Sequence, residues 1–353
     1  MNERYKLLSL RLHGKNDIRL EKIDIPVIND EELLVKVLAA AVCGTDVRMW
    51  QNSYNSVDNG SPLVLGHEFA GEIVEVGKSV EFFKIGMKVA VAPNIGCGTC
   101  DRCVRGDFHL CDNFKAFGIN INGAFAEYVK IPKSALLRGN LILLPDGVSP
   151  EEAALNEPLS CAYNGFTKCF VKPGEYALVV GAGPIGIMHT QLLLMAGCSK
   201  VILNDLSLDR LKKSKAFLPK IETYIGDSLS DFIFKLTNNK GLDIAIVACP
   251  VPQVQAAMLP LMDYGGRINF FGGVPKDKQP VAIDTNIVHY KELYLTGSTR
   301  ASIDQYKKTL GFIQNGLVDL KSLISRKFPL KDVLKAFEYA KSAEGFKNII
   351  TFE

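Results

Sequence analysis

Cysteines at Cys97-x2-Cys100-x2-Cys103-x7-Cys111 constrain this chain more than any other feature. Four thiolates at that spacing can surround one tetrahedral Zn²⁺. The stretch from Asn94 to Asp112 is polar and irregular between its cysteines, so a metal would supply most of its order. The competing reading is a cysteine-rich redox loop. Disulfides are not expected. The N-terminus, Met1-Asn2-Glu3-Arg4-Tyr5, lacks an apolar signal core, and thiols of a cytoplasmic protein stay reduced.

A second set lies upstream: Cys43-Gly44-Thr45-Asp46, followed by Gly66-His67-Glu68. A thiolate, an imidazole and a carboxylate are ordinary zinc donors, and a catalytic site keeps one exchangeable position. The plainer alternatives are a small buried hydrophobe for Cys43 and a turn histidine for His67. Against them, the chain has only 5 histidines, and this one stands in Gly-His-Glu. Cys169, Cys198 and Cys249 read as core residues.

The bulk numbers exclude several classes. With 353 residues, 47% hydrophobic and 22% charged, the chain can bury two good cores. A net charge of +3 without a basic stripe disfavours a nucleic-acid partner. The Lys212-Lys213-Ser214-Lys215 run reads as a solvated helix face. The longest apolar run, near Leu192 to Gly197, is far too short for a bilayer. No membrane partner and a cytoplasmic location are the expectation.

Texture divides the chain. From about Tyr5 to Lys133 it reads as β-rich, with strand-like runs at Leu33–Leu38, Glu72–Val76 and Lys88–Val91. Ser149-Pro150-Glu151-Glu152 is a helix start, with a capping serine, a first-turn proline and two acids at the positive end of the dipole. From Tyr176 onward strands and helices alternate, which implies a mainly parallel sheet covered on both faces. Expected strands are Tyr176–Val180, Lys200–Asn204, Leu242–Ala248, Gly266–Phe271 and Leu293–Gly297, with a weak one at Thr223–Ile225. The last segment, Ile303 to Glu353, reads as two helices, a connecting stretch and the strand Asn348–Phe352.

Gly181-Ala182-Gly183-Pro184-Ile185-Gly186 matches G-x-G-x-x-G between an apolar strand and a helical run. That context makes the pattern a dinucleotide fingerprint. Gly181 allows the tight turn, Gly183 the approach of a pyrophosphate, and Gly186 close helix–strand packing. Pro184 suits the first helical turn, where free amides meet the phosphates. Asp205, at the end of the next strand, is placed to accept the adenosine ribose hydroxyls and to repel a 2′-phosphate. NAD(H) is therefore expected over NADP(H). The opposing view rests on Arg210 and Lys212, which could welcome that phosphate, and Asp205 could instead cap the next helix.

These motifs occur in an order that resembles the zinc-containing medium-chain dehydrogenase/reductase family from end to end. Glu157-Pro158-Leu159-Ser160 resembles its sorbitol (polyol) dehydrogenase branch. The resemblance implies an α/β chain with a GroES-like β-barrel catalytic domain (residues 1–157, zinc lobe at about 94–112). A Rossmann doubly wound parallel sheet domain (158–296) follows, and a C-terminal segment (297–353) completes the catalytic domain. It implies an active site in the cleft between the domains. It implies two Zn²⁺ per subunit, a structural ion on Cys97, Cys100, Cys103 and Cys111 and a catalytic one on Cys43 and His67, with Glu68 and Glu157 completing the shell directly or through water. Cys161 is a minor rival ligand. By the same resemblance Thr45 takes the substrate's hydroxyl proton, Arg300 lies near the substrate, and the assembly is a homotetramer or homodimer. Trp50, Phe117 and Phe125 are candidate pocket walls or core residues, and the polar segment Gln51 to Ser61 is expected to border the pocket.

One position departs from the family. Many relatives carry a histidine where this chain has Arg48, which stays charged and cannot relay protons at neutral pH. Water and a ribose hydroxyl or another group would then finish the relay. Arg48 reads equally as a contact to the cofactor pyrophosphate or an anionic substrate group and as a surface salt bridge. The implied reaction is hydride transfer between NAD(H) and the secondary alcohol of a polyol or sugar-like substrate. Rival substrates are L-threonine and sugar phosphates. A catalytically silent NAD-binding protein is the rival of another class.

Overall fold

The structure, a computed structural model, describes residues 6–52 and 60–352. Of the segment expected to border the pocket, residues 53–59 lie outside the described residues. Contacts divide the chain into two compact units, Met1–Ser160 with Ala301–Glu353, and Cys161–Arg300.

The first unit is built on Leu33–Ala41, whose run Leu-Leu-Val-Lys-Val-Leu-Ala-Ala-Ala is buried on both faces. A strand of that kind must be covered on every side. Here it pairs with Glu68–Val76, Tyr128–Ile131 and Lys347–Thr351, all antiparallel. The register with Glu68–Val76 slips between Leu34 and Val35 and again between Val37 and Ala39. Such bulges bend a strand and curl the sheet, as a GroES-like barrel requires. Val35, Val37, Phe69, Ile73, Val91, Phe117, Phe125 and Phe337 fill the inside. At Pro150–Ala154 the expected helix start is a full capping box: Ser149 Oγ accepts from Glu152 N, and Glu152 Oε2 accepts from Ser149 N at 3.1 Å.

The C-terminal segment holds a strand that the sequence reading took for a connection, Ile324–Pro329. Among the described residues it pairs only with Lys347–Thr351, in parallel, at the edge of the seven-stranded sheet. Its middle residues, Ser325, Arg326 and Lys327, are exposed. Charged edge strands resist pairing with other chains, and for the same reason they carry little hydrophobic alternation to read.

The second unit is a six-stranded sheet in the order Glu222–Tyr224, Lys200–Asn204, Tyr176–Val180, Leu242–Val247, Met262–Phe270, Tyr294–Gly297, with every neighbouring pair parallel. The chain starts in the middle at Tyr176–Val180, winds out one way, then returns and winds out the other. Strand order therefore reverses beside Tyr176–Val180, and ligands of such sheets bind in the crevice at that point. The α/β Rossmann expectation is met, with strand ends shifted by a few residues. No helix among the described residues is long and apolar enough to cross a membrane.

Candidate active site and zinc centres

Neighbouring strands bring the first metal cluster together. Ala41, at the end of Leu33–Ala41, lies opposite Glu68, and its sheet neighbour Lys347–Thr351 runs alongside. Cys43 follows that strand end, and His67-Glu68 opens the next strand. Donor atoms of Cys43, His67 and Glu68 lie within 4.8 Å of one another. Ligands at zinc distances of about 2.0–2.3 Å would stand closer than that limit in a tetrahedron, so the set fits a zinc ion. Glu157, buried in the first turn of the helix Asn156–Thr167, is outside this mutually close set, as is Cys161.

Gly66 shapes the approach. Its φ is +94°, and a Cβ there would meet the backbone nitrogen of Phe125 at 2.8 Å. Gly118 and Gly123 press on Gly66 from outside, and a Cβ on either would overlap its carbonyl. Only glycine fits such backbone contacts. This three-glycine contact escapes a reading of local motifs.

Two supporting residues also went unassigned in the sequence. Asp46 is fully buried. Its Oδ2 accepts from Cys43 N at 2.8 Å, and its Oδ1 is 3.3 Å from His67 Nδ1. These last two atoms make no hydrogen bond with each other at this geometry, but a carboxylate beside one ring nitrogen favours a proton there and leaves the other nitrogen for a metal. Burial opposes a proton on His67, yet Asp46 and then Cys43 hold its pKa well above the ordinary imidazole range. The surroundings thus attract positive charge. The second residue is Lys347, whose Nζ is 2.5 Å from Glu68 Oε2. Glu68 Oε1 is buried without a hydrogen-bond partner among the described residues, as a carboxylate oxygen reserved for a metal would be.

Thr45 sits on the helix Gly44–Asn52, two residues from Cys43. Arg48, one turn later, donates from Nη2 to Thr45 Oγ1 at 2.8 Å. Helical i, i+3 spacing alone predicts that neighbourhood. Trp50 is half-buried and packs edge-on to Phe337, with Lys341 over its ring. Phe117 is fully buried in the core cluster and edge-on to Phe69. Phe125 is likewise fully buried, against Phe337.

The four-cysteine lobe brings all its thiols together. Cys97 Sγ is 3.9 Å from Cys103 Sγ, and Cys100 Sγ is 3.8 Å from Cys111 Sγ. A Zn–S bond of about 2.3 Å implies tetrahedral edges of about 3.8 Å, so this cage also fits zinc. Amides of Thr99 and Cys100 pull the Cys97 thiol down to about 5, whereas burial pushes Cys103 up to about 12. A cation is what lets the buried thiol join as thiolate.

In the second unit Gly181 takes φ +106°, and a Cβ on Gly186 would overlap the Gly181 carbonyl oxygen, whereas Gly183 faces open space. The three glycines thus supply a positive-φ turn, an open position and a close backbone approach, with Pro184 and Ile185 opening the helix Pro184–Met195. Asp205 Oδ2 accepts from Ala182 N at 2.6 Å, and Oδ1 from Ser207 N at 2.8 Å. The carboxylate brackets the glycine loop to the next one. Ser207, not Asp205, caps the helix Leu208–Phe217, by accepting from Arg210 N. Arg300 takes a left-handed φ of +55°, and buried Asn164 donates to the carbonyls of both Thr299 and Arg300.

Comparison with known proteins agrees with this geometry. The Alcohol dehydrogenase GroES-like domain family matches residues 29–145, and the Zinc-binding dehydrogenase family matches residues 184–315. L-threonine 3-dehydrogenase of Escherichia coli (strain K12) is 32% identical over 346 residues, 97% of this chain and 98% of that protein. The chain belongs to the zinc-dependent medium-chain dehydrogenase family. A zinc-binding dehydrogenase of Sinorhizobium meliloti 1021, bound to NADP, is similar to this dehydrogenase with a TM-score of 0.88 at 27% identity, covering 98% of this chain and 99% of that one. An alcohol dehydrogenase from Escherichia coli CFT073, complexed with NADH, is similar with a TM-score of 0.87 at 26% identity over 98% of this chain and 99% of its own. By family this dehydrogenase is a zinc- and nicotinamide-dependent oxidoreductase acting on alcohol groups.

Proposed function

We propose that this dehydrogenase transfers hydride reversibly between NAD(H) and the secondary alcohol of a small molecule flanked by polar groups. Polyols and sugar-like alcohols are the neutral candidates; L-threonine and sugar phosphates are the anionic ones. The observation that carries the reading is the convergence of Cys43, His67 and Glu68 donors within 4.8 Å, with Thr45 beside them. Zinc held there supplies the Lewis acidity that lowers the pKa of a hydroxyl. Nicotinamide supplies the hydride chemistry.

The chain's own residues do the rest. Asp46 sets a negative charge beside the His67 ring, and Lys347 engages one oxygen of Glu68 while the other stays buried without a hydrogen-bond partner among the described residues. Thr45 Oγ1 receives one hydrogen bond from Arg48, which leaves its proton and a second lone pair for the substrate's hydroxyl. Glu157 stands as a conditional ligand that would enter only through water or movement. Asp205 favours NAD(H), since a 2′-phosphate would meet its charge. The anionic reading is supported by the 32% identity to L-threonine 3-dehydrogenase.

The test is turnover of polyols, L-threonine and polyol phosphates with NAD⁺ and NADP⁺ on zinc-loaded enzyme, together with Cys43→Ala. That variant should lose one zinc equivalent and most turnover while still binding NADH. Parental turnover in Cys43→Ala would reject the assignment.

A further inference from the structure

Arg48 differs in its partner from five other arginines. Arg11, Arg19, Arg102, Arg105 and Arg267 each face a carboxylate. Arg48 is exposed and makes no ion pair among the described residues; its hydrogen bond goes to the neutral hydroxyl of Thr45. The guanidinium folds back over the start of its helix, where Gly44 leaves it room: a Cβ there would meet only Arg48 Nη1, at 3.7 Å. A fixed positive charge thus stands against the hydroxyl expected to touch the substrate. One of its five N–H groups is used on Thr45, and the rest remain in a planar fork suited to carboxylate or phosphate.

Resting on the proposed oxidoreductase reading, we propose that Arg48 determines specificity by binding an oxyanion of the substrate next to the reacting alcohol. The geometry limits the spacing. With hydrogen bonds of about 2.8 Å from Thr45 to the carbinol oxygen and from Arg48 to the anion, the two oxygens lie roughly 3–5 Å apart when both sit on one side. A 3-hydroxy carboxylate or a hydroxyalkyl phosphate spans that distance. A neutral polyol offers the guanidinium only hydroxyls, which gain far less from a fixed charge. Because the same side chain holds Thr45, an anion on Arg48 also sets the alcohol's position relative to that hydroxyl.

Calorimetric titration on zinc-loaded enzyme with NADH bound tests this without requiring turnover. L-threonine is compared with 3-aminobutan-2-ol, in which a methyl group replaces the carboxylate, and sorbitol 6-phosphate with sorbitol. In the parent, one anionic member should bind at least tenfold tighter than its neutral twin, and the pair that responds identifies carboxylate or phosphate. Arg48→Gln, which keeps an N–H for Thr45 but removes the charge, should bring that ratio within threefold, and Arg48→Lys should restore part of it. Parental ratios near one in both pairs, or equal weakening of both members in Arg48→Gln, would overturn the proposal. Preserved anion preference without oxidation of any alcohol would support the subsite and instead reject the oxidoreductase reading.

Discussion

Lys347 Nζ stands 2.5 Å from Glu68 Oε2 and donates to the Val42 carbonyl at 3.0 Å, deep inside the first unit. Glu68 is fully buried and Lys347 is 5% exposed. Burial alone would drive the lysine toward its neutral form, but Glu68 and then Cys43 outweigh it and raise its pKa. Removing one partner of a buried pair strands the other charge, a loss of about 3–5 kcal/mol. Lys347→Met should lose stability on that order after chelation and recover part of it on zinc loading, because Glu68 then has a cation to meet. Urea unfolding with and without zinc measures this, and an identical loss in both states would remove Glu68 from the metal's surroundings.

His189 gives the second unit an acid weakness. It is fully buried, edge-on to Phe271, and neither ring nitrogen has a hydrogen-bond partner among the described residues. Burial pushes its pKa from 6.5 down to about 3. The unfolded chain therefore takes the proton first, so stability is intact above the unfolded pKa and is lost as pH falls from there toward the folded value. Between pH 7 and pH 5 the loss from this one group is about 2 kcal/mol. His189→Leu should unfold with a shallower pH slope by that amount, and unchanged slopes would show that the ring is hydrated in the native state.

The four-cysteine lobe should depend on Gly98 as well as on metal. Gly98 has φ +84°, and a Cβ there would overlap the Arg138 guanidinium, which donates to the Cys97 carbonyl at 3.0 Å. Gly98→Ala is expected to cost about 1–3 kcal/mol from strain at that φ. Cys100→Ser should release one zinc equivalent and expose the lobe to proteolysis. Full zinc content and parental thermal stability in Cys100→Ser would argue against a structural ion.

Cofactor choice should follow Asp205. Its carboxylate accepts two backbone N–H groups, so Asp205→Ser removes both a charge and a brace of the glycine loop. NADH binding should weaken, and NADPH should gain at least tenfold relative to NADH by fluorescence titration, because the repulsion of the 2′-phosphate is gone. An unchanged ratio would assign Asp205 to loop architecture alone.

How much of the site can be read along the chain depends on sequence distance. The thiol lobe lies within fifteen positions and the glycine loop within six, so local spacing carries both. Arg48 and Thr45 share a helix turn, and i, i+3 spacing could have paired them in advance. Lys347 and Glu68 are 279 positions apart, and nothing in either neighbourhood names the other. Phe117 reads in sequence as pocket wall or core alike, because composition cannot distinguish the two. Ile324–Pro329 was passed over because an edge strand with charged residues lacks alternation.

Local chemistry determined the class of this protein: thiol spacing, the Gly-His-Glu turn and a glycine loop between strand and helix are each set by a few adjacent residues whose donors or backbone angles allow little else. Tertiary structure alone decided which groups surround the cluster of Cys43, His67 and Glu68. The strand order that lays Lys347 beside Glu68, and the burial that holds Asp46 on His67, are products of long-range packing. Those contacts are stabilised by excluded water and sheet register, and neither is encoded in any short stretch of chain.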